Sequence, residues 1–485
     1  MSSERVLVVD VGTSSVRVGV FDAAGTALHN VERELLPDTP SDGIVQFDAR
    51  AMADTCLELA AGALERAGAV DAVGISNQRG STIVWDRATG EPVGSGIGWQ
   101  DLRTIGTCLN LRAQGVRTGP NQSATKLQWL LEQLQDRGRA RDLCFGTVDT
   151  WVAWTLSQGA VHVTDATNAA ITGLQVARNP AEWDTEILTA LDIPREMLPS
   201  IVDSSGVVGA ASALPGAPPI AALLGDQQAS LVGQGCVHPG DAKITFGTGG
   251  MLDLVLGKEP PTFDQRGPAG TFPIVAWRHE GRITWGIEAV MLAAGTNIQW
   301  LRDDLGLISS SDESHSLASR VDDTGGVVYV PALLGLGTPA WDYGARGAFF
   351  GLTRGTGRAE IVRAVLEGVA QRGADLVDAA ETDSGVAIPA LRVDGGMTDN
   401  DTFVQALADA AQRPVEISPM REATSRGAAL MAGLAVGHHR SVDELAHTWK
   451  PRVRVEPARV LDRDRWQEAV SRARHWIPEL SGIDF

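Results

Sequence analysis

An aspartate that ends an apolar run and is followed by amides suits proton transfer from an alcohol. "LLGDQQASLVGQG" supplies this arrangement with Asp226, Gln227 and Gln228. An attacking hydroxyl must lose its proton as a phosphoryl bond forms, and a carboxylate within hydrogen-bond reach accepts it. The same aspartate also suits the N-cap of the helix "QQASLVGQ", and the two roles are compatible. A second conspicuous residue is Arg79 in "ISNQRGSTIVWD", a lone cation between amides and Gly80 where an apolar strand should end.

Turns rich in Gly, Thr and Ser point backbone N–H groups and hydroxyls into one space, a concavity that holds phosphate oxygens. Gly12-Thr13-Ser14-Ser15, with Arg17 two residues on, is one such turn, and Gly247-Thr248-Gly249-Gly250 is another. Each also reads as a turn and nothing more. Asp10, at the end of the strand before the first turn, is the natural partner of a magnesium ion, because hard cations prefer carboxylate and water oxygens. Its alternative is a turn cap. A third loop lies in "RVDGGMTDNDTFVQALADAA". There Gly395 and Gly396 let a flat ring approach the backbone, and Thr398, Asp399 and Asn400 are N-cap types for a helix starting near Asn400. This suits the adenosine end of a nucleotide site, or a plain strand-to-helix connection.

These residues need strands that end together. "RVLVVDVGTSSVRVGVFDAAG" reads as strand, tight turn, strand, and "AKITFGTGGMLDLVLG" repeats the plan more than two hundred residues later. The repetition predicts an internal duplication, with the boundary at "GCVHPGD", giving domains 1–238 and 239–485. Helical spacing recurs between the strands. Leu127, Leu130, Leu131 and Leu134 show it, as do Ile361, Val365, Val369 and Leu376. The expected class is α/β.

The 485 residues leave room for two or three domains, and 44% apolar with 21% charged residues is ordinary globular composition. A net charge of −19 excludes a nucleic-acid or anionic-membrane partner on electrostatic grounds. A small anion can still bind a local positive pocket. Four scattered cysteines without a C-x-x-C pair argue against zinc and fit a reducing compartment, so a cytoplasmic protein is expected. The start "MSSERVLVVDVG" lacks a signal-peptide pattern. "GAALMAGLAVG" is too short to span a membrane and reads as a buried helix.

Taken together, "DVGTSSVR", "TFGTGG", "DGGMTDN", "GTVDTWVAW", "HVTDATNA", "GDQQASLVGQ", "AGTNIQWLRD" and "ARGAFFGLTRGTGRAEIVRAVLE" resemble, in this order, segments of the FGGY carbohydrate kinases, and within them the glycerol kinases. The resemblance runs from Val6 to about Gly437. It implies two ribonuclease-H-like, actin-like domains with ATP and Mg²⁺ in the cleft between them. It implies Asp226 as general base and Asp10 near the metal. Thr13, Ser14, Ser15, Arg17 and Thr248 would lie on the phosphates, and Gly295, Gln299, Gly396 and Asn400 near the rest of the nucleotide. Arg79, Trp99 and Gln227 would hold the alcohol, with a core aromatic as the alternative for Trp99.

The chain departs from the glycerol kinase pattern at three pocket positions. Gly80 replaces a glutamate, Asn121 a tyrosine and Met251 a phenylalanine. A roomier pocket is therefore expected, one suited to a four- or five-carbon polyol. The expected activity is ATP-dependent phosphorylation of a glycerol-like polyol. A ketopentose or other sugar is the alternative, and an actin-like ATPase without a small alcohol is the remote one. Homodimers and homotetramers both remain compatible with the sequence.

Overall fold

The computed structural model describes residues 4–116, 118–134, 136–420 and 422–483. Runs of Val, Leu and Ile build a single thirteen-stranded sheet. In chain order its strands are β1 Arg5–Val11, β2 Ser15–Asp22, β3 Ala27–Glu34, β4 Ala72–Asn77, β5 Ser205–Ala210, β6 Pro219–Gly225, β7 Ala242–Phe246, β8 Gly250–Gly257, β9 Phe272–His279, β10 Arg282–Met291, β11 Leu391–Asp394, β12 Val415–Ile417 and β13 Val453–Val455. The helices that matter here are α1 Ala49–Ala67, α2 Ala124–Glu132, α3 Val148–Leu156, α4 Ala166–Ile171, α5 Asp226–Gly233, α6 Thr296–Asp303, α7 Arg358–Ser384, α8 Asp401–Ala411 and α9 Ala423–Ala435.

The sheet contains the same five-strand plan twice. In the first half the order is β3-β2-β1-β4-β6, and in the second it is β10-β8-β7-β11-β12. Each half opens with an antiparallel hairpin, β1–β2 or β7–β8, and sets two further strands parallel beside its first strand. The duplicated hairpins expected from sequence are thus the matching cores of two lobes. The lobes meet in the sheet through β5 and β9, which share the pair Ser205↔His279.

One core packs β1, β2, β4 and β6 against α1 and α3, and another packs β7, β8, β10 and β11 against α7 and α8. A third lies between the lobes and includes Val6, Val8 and Leu224 with residues of α5 and α9. Here α9, from the second half of the chain, covers β1, β4 and β6 of the first. The crossing of α5 and α9 is very close. A Cβ at Gly233 would lie 1.8 Å from the Ala423 oxygen, and one at Gly427 1.8 Å from the Ala229 oxygen. Only glycine permits that approach. The apolar stretch "GAALMAGLAVG" is therefore a buried helix, as its length implies.

A buried polar network holds the strand ends that face the cleft. Asp165 caps α4 by accepting from the Thr167 and Asn168 N–H groups and also accepts from Ser204 Oγ at 2.6 Å. Asn168 exchanges amide hydrogen bonds with Asn77 at the end of β4, and Thr167 Oγ1 accepts from Gly225 N at the end of β6. This network fixes the points from which Arg79 and Asp226 leave the sheet.

Candidate active site

Arg79 follows β4, and Asp226 opens α5 directly after β6, so two parallel neighbours deliver both to the same sheet end. The N-cap of α5 is Gly225, and Asp226 is its first helical residue, accepting from Gln227 N at 2.8 Å. Gly225 is needed as such, because a Cβ there would lie 2.7 Å from Arg79 Cδ. The Arg79 guanidinium is nearly buried. Its Nε lies 3.5 Å from Asp226 Oδ1, and its Nη2 donates to Glu288 Oε2 at 2.5 Å. Its Nη1 is buried without a partner. Burial raises the Asp226 pKa, with Arg79 opposing, and a raised pKa strengthens a carboxylate as a base.

Glu288 sits on β10 in the second lobe, so the Arg79–Glu288 pair crosses the cleft. Register brings two more charges to the same sheet face. Lys243 on β7 is opposite Asp253 on β8, and Asp253 is opposite Glu288. Lys243 donates to Gln227 Oε1 at 2.6 Å and to Thr245 Oγ1 at 3.1 Å, and lies 2.8 Å from Asp253 Oδ2. Met251 is half-buried on this face, two residues before Asp253.

The first loop closes with Gly12 N donating to Ser15 O at 2.9 Å, leaving Thr13 half-buried and Ser14 exposed. Trp99 Nε1 donates to Thr13 Oγ1 at 3.2 Å, which ties the candidate alcohol wall to this loop. Asp10 is buried beside it. It accepts from Ser76 Oγ at 2.9 Å and from Ser425 Oγ of α9 at 3.1 Å. Burial pushes its pKa up to about 6, and the Asp226 charge adds to the rise. A buried carboxylate whose neighbouring cation, Arg17, stays at 4.0 Å suits a divalent ion as well. Arg17 is paired with Asp10 across the hairpin, with Nη1 at 4.0 Å, while its Nε donates to Glu32 at 2.9 Å.

In the second loop Gly247 and Thr248 are exposed, and their carbonyls accept from Gly295 N and Ala294 N. A Cβ at Gly295 would lie 2.6 Å from Gly247 O. The third loop touches the second as well, since a Cβ at Gly395 would lie 2.3 Å from Phe246 O. Gly396 is exposed with open space beside it, and Gln299 is exposed one turn into α6. Asn400 caps α8, accepting from Phe403 N, and donates to Ser314 Oγ at 2.8 Å, so both polar atoms of its side chain have structural partners.

Sequence patterns built for the two halves of a kinase family match the chain in order. "FGGY family of carbohydrate kinases, N-terminal domain" covers residues 5–233, and the corresponding C-terminal domain covers 242–436. The chain belongs to the FGGY family of carbohydrate kinases. The glycerol kinase of Aromatoleum aromaticum is 43% identical, over 97% of this chain and 99% of its own. That of Deinococcus radiodurans is 42% identical, over 98% of each. The crystal structure of Plasmodium falciparum glycerol kinase with ADP superposes with a TM-score of 0.90 at 27% identity, covering 100% of this chain and 99% of that one.

Against that family background the three pocket departures take on geometry. The expected extra room at Gly80 is absent. A Cβ there would lie 2.5 Å from the Asn121 carbonyl oxygen and 3.6 Å from Trp99 Cβ, and Gly80 has φ +75°. The main chain at Asn121 occupies the space a side chain would enter, and Ser123 Oγ bonds the Gly80 carbonyl at 3.2 Å. Gly80 and Asn121 are one packed unit rather than two openings. The reading from sequence also missed Glu288, Lys243, Asp253, Ser76 and Ser425. A signal existed for three of them. "AKITF", "MLDLVLG" and "GIEAVM" each carry one charge in an otherwise apolar strand, and a buried charge asks for a partner. No FGGY motif in the chain points to Ser425. Among the described residues no helix is long and apolar enough to cross a membrane.

Proposed function

We propose that this FGGY kinase transfers the γ-phosphoryl group of ATP to a hydroxyl of a small glycerol-like polyol, giving ADP and a phosphomonoester. The observation that carries the proposal is Arg79, fixed between Asp226 and Glu288 with a free buried N–H group. A polyol hydroxyl accepts from Arg79 Nη1 while the reacting hydroxyl donates its proton to Asp226 as the phosphorus–oxygen bond forms. Gln227 and Trp99 flank the alcohol, with Gly80, Asn121 and Met251 completing its wall. Backbone N–H groups and hydroxyls of Thr13, Ser14, Ser15 and Thr248, with Arg17, hold the phosphates. Gly295, Gln299, Gly396 and the backbone at Asn400 line the remainder of the nucleotide. Asp10 would hold Mg²⁺, which supplies charge neutralisation on the phosphates when bound. The lobes divide at residues 238 and 239, and closure between them keeps water from the phosphoryl group. The setting is cytoplasmic.

The relatives named glycerol kinase, at 43% and 42% identity, support this assignment. The test is ADP release from ATP and Mg²⁺ with and without added polyol. Release that depends on the polyol is expected. Turnover of ATP that ignores every polyol and sugar offered would instead mark the chain as an ATPase.

A further inference from the structure

We infer that Lys243 is a positioning residue for the alcohol: it pins the Gln227 amide by its oxygen, so that the amide offers the substrate only N–H donors. This rests on the kinase assignment above. Lys243, on β7, is fully buried. Each N–H of its ammonium has an acceptor in reach, with Gln227 Oε1 at 2.6 Å, Asp253 Oδ2 at 2.8 Å and Thr245 Oγ1 at 3.1 Å. Asp253, opposite Lys243 in the β7–β8 register, balances the charge. A buried ion pair by itself gives a sheet little that two apolar residues would not. The contact that an apolar pair could not replace is the one to Gln227. That residue comes from the first half of the chain, as the second residue of α5, directly after the candidate base.

Glutamine is ambivalent, because one end of its amide donates and the other accepts. Lysine has no acceptor, so the end it meets must be the oxygen. Gln227 is only half-buried, and its Nε2 makes no hydrogen bond to another described residue. The N–H groups of Nε2 are thus left for a ligand. A side chain held before binding also has less freedom to lose when the ligand arrives.

Asp226 and Gln227 then form an acceptor and a donor in fixed order. The reacting hydroxyl gives its proton to Asp226, and a second oxygen of the same molecule accepts from Gln227 Nε2. A hydroxyl or carbonyl oxygen fits that second place, and an ammonium group does not.

The experiment compares the full chain with Gln227→Ala, Gln227→Glu, the pair replacement Lys243→Met with Asp253→Leu, and that pair combined with Gln227→Ala. ADP release and Tm are measured for each. The polyol is whichever of glycerol, erythritol, ribitol and xylitol gives the unaltered protein the highest kcat/KM. Replacing both buried partners leaves no charge alone, so the fold should hold. Gln227→Ala and the pair replacement should each raise the polyol KM about tenfold and change the ATP KM by less than about twofold. Their combination should cost no more than either alone, because Lys243 acts through Gln227. Gln227→Glu keeps an oxygen for Lys243 but has no N–H, so its polyol KM should rise as well, while an altered base at Asp226 would show in kcat. This variant leaves the buried pair intact and carries the test if the pair replacement fails to fold. An unchanged polyol KM in Gln227→Glu or in the pair replacement, or losses that multiply in the combined variant, overturns the inference and leaves the kinase assignment standing. No ADP release from the unaltered protein with any of the polyols overturns both.

Discussion

The nucleotide side and the alcohol side of the cleft are built in opposite ways. The proposed nucleotide side is made of short loops, Gly12–Ser15, Gly247–Gly250 and Gly395–Asn400, with backbone groups left open to the cleft. The proposed alcohol side is a closed cluster of side chains from the turn after β4, the start of α5, and β7, β8 and β10, most of them already paired. Backbone sites depend on local conformation and tolerate change around them. A charge cluster depends on every member, because removing one leaves its partners buried and unsatisfied. The two sides should therefore fail differently.

The sharpest way to break the contrast is Asp226→Asn. It keeps shape and hydrogen bonding and removes the base. Turnover should fall by about a hundredfold to ten-thousandfold while the KM for ATP barely moves. Retention of more than a tenth of turnover with the best polyol would take the base role from Asp226. Next in size is Asp10, which lies between the two sides. Its carboxyl is raised from 3.8 to about 6 in the folded protein, chiefly by burial. The native state then binds this proton more tightly than the unfolded state does. The contribution to stability is largest below pH 4 and is lost as pH rises to about 6, a change of about 3 kcal/mol. Asp10→Asn should lack that component, so its stability relative to the unaltered protein should improve between pH 4 and 7 in denaturant titrations without nucleotide. An identical pH dependence for both proteins would show that the carboxyl does not titrate in this range.

A smaller effect is expected at Thr248→Val, which deletes one hydroxyl donor from the second loop. The KM for ATP should rise by an amount equivalent to about 1–3 kcal/mol, with the polyol KM unchanged. Unchanged ATP kinetics would move the phosphates away from Thr248. The smallest pair sharpens the comparison most directly. Gly80→Ala puts a Cβ into the Asn121 carbonyl at positive φ and should destabilise the fold by about 1–3 kcal/mol. Gly396→Ala meets open space and should change stability by less than about 0.5 kcal/mol. Equal melting temperatures for the two variants would contradict the packed wall at Gly80.

That packed wall also shows where reasoning from sequence stopped. A glycine in place of a glutamate read as opened volume, yet the Asn121 carbonyl fills the space. No local pattern near residue 80 announces the position of a carbonyl from residue 121. By contrast, Asp226 after an apolar run, the two Gly-Thr turns, and Asn400 at a helix start were legible, because each rests on chemistry between near neighbours.

The sequence by itself determined the local devices of this protein: the two hairpins, their phosphate-type turns, the helix starts and the family to which their order belongs. Those follow from β-branched runs, turn residues and caps, which act over a few residues. Only the tertiary structure decided that Lys243, Asp253 and Glu288 stand side by side, since a one-residue slip in register would turn any of them to the other sheet face. It also decided that Ser425 of α9 reaches Asp10, because two glycines let α9 cross α5 closely enough to lie against β1. Charge pairing and register act between segments far apart in the chain, and their energy exists only once those segments meet.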